Sequence, residues 1–329
     1  MKKSLLCCLF LLVANLMMAD GVVVVDGMKF VVDTETNQVS LTSVESGVDS
    51  IFIPEKIMFE GKEYAVTTLV NHDWSGIRFV EVPSSLKSLP KGCFSYAEDL
   101  VGVKFSSSLA SLSSCCFDMC RNLREVELPS SLTTLNDSCF SNCSSLTEVV
   151  IPSSVTSLGS GCFMYCSRLR SLVIPSSVTT LGEMCFEYCC SLESIKIPLG
   201  VEAIEMGTFS GCNNLVSVDI PSSVKKIKRF DFDGCTSLLT LNVFAKEPPV
   251  FEPSTMDSLR IPDFCKVYVP EDSFEKYKNA KVWRKCKLRV LGKTESVEKP
   301  KQCEAPQIVY DDGKLKFLSV TPNAEYHYT

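Results

Sequence analysis

The sequence predicts an α/β repeat solenoid: seven 23-residue units wound into a coil, with a parallel β-sheet along one side. Three observations carry the prediction. Pro83, Pro129, Pro152, Pro175, Pro198 and Pro221 fall on one 23-residue grid, with Ser106 in the one skipped slot. Phe94, Phe117, Phe140, Phe163, Phe186, Phe209 and Phe232 hold a single position of that grid in all seven units. Residues 151–173, "IPSSVTSLGSGCFMYCSRLRSLV", are followed at once by a near copy, "IPSSVTTLGEMCFEYCCSLESIK". A period of this size marks a stack of small structural units.

Each unit has an inside and an outside. Besides the phenylalanines, apolar columns run through Leu89, Leu112, Leu135, Leu158, Leu181, Ile204 and Ile227, and through Leu100, Leu123, Leu146, Leu169, Leu192, Leu215 and Leu238. A further column holds Val103, Val126, Val149, Leu172, Ile195, Val218 and Leu241. About six inward side chains per unit are too few to fold alone, so each unit must bury them against its neighbours. The "LRSLVIP" type of segment (169–175) predicts a strand closed by a proline, which has no ladder donor. The "SSVTSLG" type predicts the turn, and the "CFxxC" type a short helical or irregular return. At ~4.8 Å between strands, seven units make a sheet roughly 34 Å long.

Alternation then assigns an outer sheet face. Its candidate binding residues are Glu125, Glu127, Glu148, Val150, Ser171, Val173, Ser194 and Lys196, with acidic groups toward the N-terminal half and two valines adjacent in the middle. Repeat scaffolds use such faces for extended protein recognition.

The regular units, 82–242, lie between irregular ends. Lys2 and Lys3 precede an apolar run that closes at Ala19-Asp20, the layout of a cleaved secretory signal over residues 1–19. Residues 20–81 predict a β-rich cap with turns at Asp26-Gly27 and near Thr36-Asn37. Residues 243–292 predict a strand-helix-strand cap, the helix starting at Asp272-Ser273. The polar run 293–302 predicts a linker, and the remainder to Thr329 alternates like the first strands of a β-module that needs more chain to close.

The unit pattern, with its L-x-x-L-x-I strand and Phe-x-x-Cys segment, resembles the BspA-like class of leucine-rich repeat proteins over residues 82–242. Phe52 to Leu69 resembles the divergent first unit of such proteins, with its extra hairpin, and 265–292 resembles the terminal cap of secreted repeat proteins from Bacteroidetes-type bacteria. The resemblance implies a secreted or surface-displayed protein that attaches to host matrix proteins or to other cells.

Eighteen cysteines raise a separate question. Cys93, Cys116, Cys139, Cys162 and Cys185 share one repeat position, continued by Thr208 and Asp231; Ala97, Cys120, Cys143, Cys166, Cys189, Cys212 and Cys235 share another. Columns that accept Ala or Thr point to a small side chain in a tight internal slot. Two other roles stay open: bridges between rungs, against which parallel stacking gives poor S–S geometry, and zinc, which C-x-x-x-C without histidine fits poorly. Off the grid, Cys265 and Cys286 flank the cap helix and are the first pair to test for a bridge.

Catalytic groupings are scarce. His72 and His327 are the only histidines and lie outside the array, leaving no base for a Ser or Cys nucleophile there. No G-x-x-x-x-G-K or G-x-G-x-x-G phosphate loop occurs. A net charge of −6 argues against nucleic acid. The sequence therefore predicts a monomeric, non-enzymatic adhesin-like protein with no cofactor, no metal and no membrane span after signal removal, whose partner is an extracellular or cell-surface protein. The alternative is a passive spacer displaying a further C-terminal module.

Overall fold

In the computed structural model, residues 16–18, 21–70, 73–105, 109–251, 260–292, 307–311 and 314–318 are described. The chain divides into two compact units, Met1–Leu291 and Gly292–Thr329.

The larger unit begins with a six-stranded sheet. Leu16–Met18, Val22–Val25, Met28–Asp33 and Gln38–Val44 run antiparallel in order, Lys62–Leu69 joins parallel to the fourth, and Lys56–Phe59 closes the edge. The tight turns are dictated locally. Asp26-Gly27 and Glu60-Gly61 all take positive φ, the conformation a two-residue hairpin requires.

From Ser50 onward the chain coils. Ser50–Phe52 pairs parallel with Phe79–Val82, then Gly102–Phe105, then Glu125–Glu127, and single parallel bridges carry the ladder through Val150 to Val173. Ser194–Lys196, Ser217–Ile220, Thr240–Val243, Lys266–Val269 and Lys287–Val290 continue it. A rail of backbone bonds spans the gap between Val173 and Ser194: each unit's N–H at 124, 147, 170, 193 and 216 donates to the carbonyl 23 residues earlier. The parallel sheet thus extends beyond the seven regular units at both ends.

The "SSVTSLG" segment is more than a turn. Ser88–Leu89, Ser111–Leu112, Thr134–Leu135, Ser157–Leu158 and Thr180–Leu181 form a second parallel ladder, and Ala203–Ile204, Lys226–Ile227 and Val250–Phe251 form another. The return segment is irregular, and it bends twice through left-handed backbone. One bend falls at Gly92, Cys115, Ser138, Gly161, Met184, Gly207 and Phe230; the other falls at Tyr96, Met119, Asn142, Tyr165, Tyr188, Gly211 and Gly234. Among the described residues the one α-helix is Phe274–Asn279, preceded by the 3-10 turn Glu271–Ser273.

Inside, the seven phenylalanines are fully buried and stack with ring centroids 5.2–5.8 Å apart and interplanar angles of 4–12°. Trp74 closes the N-terminal end of this row, 4.5 Å from Phe94, and its indole N–H donates to the Cys93 carbonyl. At the other end Trp283 and Tyr277 pack edge to face, donating to the carbonyls of Pro249 and Ala245. Burying such rings is favourable only when their polar tips find partners.

The smaller unit holds an antiparallel hairpin of Gln307–Asp311 and Lys314–Leu318. Residues 1–15, Ala19-Asp20, His72, the run 293–302 and His327 lie outside the described residues.

Candidate binding face

Each strand of the main ladder turns one side chain inward between two that point out. Val126 is buried between exposed Glu125 and Glu127, and Ile195 between exposed Ser194 and Lys196. All eight predicted face residues are exposed. Val150 and Val173 are the extreme case: bridged to each other as parallel neighbours, they are 78% and 81% exposed. Two uncovered β-branched side chains side by side on a sheet leave apolar area in water that a partner would remove, a cost of ~25 cal/mol per Å² until it does.

The face reaches further than the predicted residues. Phe79 stands one 23-residue step before Gly102 in register, and Phe52 pairs with Glu81 one rung earlier; both rings are exposed, at 46% and 68%. Gly102 makes room for this aromatic end, since a Cβ there would stand 3.1 Å from the Phe79 ring. Phe52, Phe79 and Gly102 line a shallow cavity of about 460 Å³, rimmed by Glu125, Glu127 and the Lys104–Glu81 ion pair at 2.8 Å. The grid, carried one step back from Gly102, reaches Phe79, ahead of the regular units 82–242. Nothing in it pointed to Phe52, because the hairpin of residues 56–69 breaks the spacing.

On the return side Tyr165 and Tyr188 are partly exposed and stack on each other at 4.9 Å and 2°. Tyr188 lies over Gly211, whose Cβ would meet its ring at 2.5 Å.

The cysteine columns sit inside. All the described cysteines are free thiols, Cys265 and Cys286 included. In the second column the thiols of Cys120, Cys143, Cys166, Cys189, Cys212 and Cys235 donate to the carbonyls of Phe94, Phe117, Phe140, Phe163, Phe186 and Phe209, 26 residues earlier, at 3.0–3.2 Å. In the first column the carbonyls of Cys116, Cys139, Cys162 and Cys185 accept the N–H of the preceding unit's phenylalanine. Both columns thus knit one rung to the next. Burial pushes the column thiols far above their ordinary range, and pushes Cys235 up to about 12 and Cys286 to about 11. Thiols held protonated are poor nucleophiles and poor ligands. Among the described residues no three His, Cys, Asp or Glu side chains gather as a metal site requires.

Asp231 breaks the first column. It is 2% exposed; one carboxyl oxygen accepts the Thr208 N–H at 3.3 Å and the other is buried without a partner. Burial pushes it up to about 9, with nearby Glu205 adding to the rise, against the lowering pull of the Thr208 N–H and Lys228. No helix among the described residues is long and apolar enough to cross a membrane.

Comparison with known proteins places the whole array. The family described as "BspA type Leucine rich repeat region" matches six copies over residues 72–192 and 184–252, more than half of the chain. No curated protein matches it. The crystal structure of a leucine-rich repeat protein from Bacteroides ovatus aligns with a TM-score of 0.51 at 19% identity, over 79% of this chain and 63% of that one, a likeness of fold alone. This chain therefore spans less than two thirds of that protein's length. The T. pallidum leucine-rich repeat protein gives a TM-score of 0.48 at 26% identity over 64% of this chain and 88% of its own. For the pneumococcal vaccine antigen PcpA the values are 0.43, 18%, 83% and 99%.

Proposed function

Because the chain belongs to the BspA-type leucine-rich repeat family, we propose that it is a non-enzymatic, secreted or surface-displayed binding protein that holds an extracellular protein on the strand face. The observation that carries this reading is the uncovered Val150–Val173 pair, set in the middle of a row of exposed polar and charged residues. An apolar centre within a polar rim is the anatomy of a protein-recognition patch. The acidic half, Glu125, Glu127 and Glu148, selects partners with basic surface, as in attachment to host matrix or to neighbouring cells. Chemistry on the array itself has little support, because burial holds its thiols protonated and the second-column thiols donate to backbone carbonyls.

The test is binding of the full chain to a panel of extracellular matrix proteins and bacterial surfaces. The E125K/E127K/E148K chain should lose at least about tenfold in affinity for whichever probe binds, with a steeper salt dependence in the parent. Retained affinity would move the site off the strand face; binding to no probe would overturn the reading.

A further inference from the structure

The outward row that contains Val150 and Val173 is ordered symmetrically about that pair. One rung before Val150 stands Glu127, and one rung after Val173 stands Lys196. Two rungs out are Lys104 and Asp219; three rungs out, Glu81 and Asn242; four rungs out, Phe52 and Tyr268. The step from Val173 to Lys196 follows the 23-residue repeat, and the Glu193 N–H donates to the Arg170 carbonyl across it at 3.2 Å. Positions equidistant from the centre are therefore matched: valine with valine, acid with base twice, carboxylate with amide, aromatic with aromatic.

We propose that the strand face docks on the strand face of a second copy of this chain, about a two-fold axis that runs parallel to the strands between the Val150 and Val173 rungs. This rests on the reading that the strand face is the binding side, and it names one partner for it. Such an axis reverses the order of rungs and keeps each lengthwise row opposite itself. Glu127 then meets Lys196 of the second copy, Lys104 meets its Asp219, and the valines close on each other, every contact occurring twice as an isologous interface demands. In the neighbouring row Glu125 and Glu148 fall opposite serines, Ser194 and Ser171, so no like charges are brought together. The other two-fold arrangement, with the stacks running the same way, sets Glu125 against Glu127 and Lys287 against Arg289, and charge repulsion excludes it.

The contact is small. The ten matched rungs at ~4.8 Å make a strip about 50 Å by 10 Å, on the order of 500 Å² per copy, below the ~800 Å² of a stable complex. Sheets packed face to face also cross at about 30°, which concentrates contact on the middle rungs. Self-docking is thus weak in dilute solution and gains where many copies are displayed on facing surfaces. On this proposal the chain is monomeric at low concentration and pairs as concentration rises.

Sedimentation equilibrium of the full chain, from about 10 μM to about 1 mM, spans the affinities expected of so small a contact. The mass should climb from 36.4 kDa toward twice that value. E127K alone, or K196E alone, sets like charges together at two places and should lower the association constant at least about tenfold, while E127K/K196E exchanges the charges and should restore it to within about threefold. A mass fixed at the monomer throughout, or a double variant as weak as the singles, overturns the proposal. If the parent stays monomeric yet binds a panel probe that E125K/E127K/E148K does not, self-docking alone is overturned and the strand-face reading stands.

Discussion

The interior and the strand face are built by the same 23-residue step, yet one repeats its chemistry and the other does not. Along the inside, the position after the first cysteine column is phenylalanine seven times, and each ring lies on its own image 5.2–5.8 Å away. Along the outer row the sequence runs Phe52, Glu81, Lys104, Glu127, Val150, Val173, Lys196. A side chain that packs on its copy in the next rung gains from identity, because apolar rings stack without penalty and fill the same slot. A charged side chain in that arrangement would stand about 4.8 Å from a like charge, which is destabilising. The outside is therefore free to vary, and variation there is where recognition can be encoded.

The contrast is broken most severely from within. Phe163→Ala removes a fully buried ring from the middle of the row and should cost about 3–5 kcal/mol in chemical denaturation, whereas Val173→Ala on the face should change stability by less than about 0.5 kcal/mol. Equal losses would mean that the face is part of the core. Next comes the interior's own flaw, Asp231. In the folded chain its carboxyl keeps its proton up to about 9, whereas the unfolded chain releases it in the ordinary carboxylate range. The stability it contributes is therefore complete below pH ~4, falls progressively above that, and is lost as pH rises through ~9. Asp231→Asn should flatten that slope in denaturation curves taken across the range; an unchanged slope would place its origin elsewhere.

Cysteine sharpens the comparison further. Cys143→Ala deletes a buried S–H that donates to Phe117 and should cost about 1–2 kcal/mol, while thiol titration of the folded chain should label the half-buried Cys115, Cys190 and Cys286 well before the buried columns. Rapid labelling of Cys143 would contradict its place inside. The smallest effect is expected at the return bends. Ser138→Gly relieves a left-handed residue with φ 53° and should gain about 0.5–1 kcal/mol, seen as a modest rise in Tm.

The sequence made the interior legible for the reason just given: stacking on an identical neighbour forces a strict column, and Phe94 through Phe232 is such a column. Exposed strand positions followed from alternation around Val126 and Ile195. The second ladder was hidden because strands of two residues, such as Ser157–Leu158, are too short to alternate and look like a turn with one buried leucine. The left-handed bends were half hidden. Gly92, Gly161 and Gly207 signalled one of them, but Met184 and Phe230 occupy the same position against their intrinsic preference. Phe52 escaped because the inserted hairpin shifts it off the grid. Asp231 was visible as a departure from the cysteine column, but its burial, and hence its shifted titration, depends on packing that no single-residue pattern encodes.

The central claim is that the two sides of one coil divide the labour, the return side binding the chain to itself and the strand side meeting other molecules. Covalent footprinting of the full chain, alone and with a panel protein that binds it, compares those sides in a single experiment. Protection of Phe52, Phe79, Val150 and Val173, with Tyr165 and Tyr188 labelled as before, is the predicted result; protection of the two tyrosines with the strand face left reactive would contradict it.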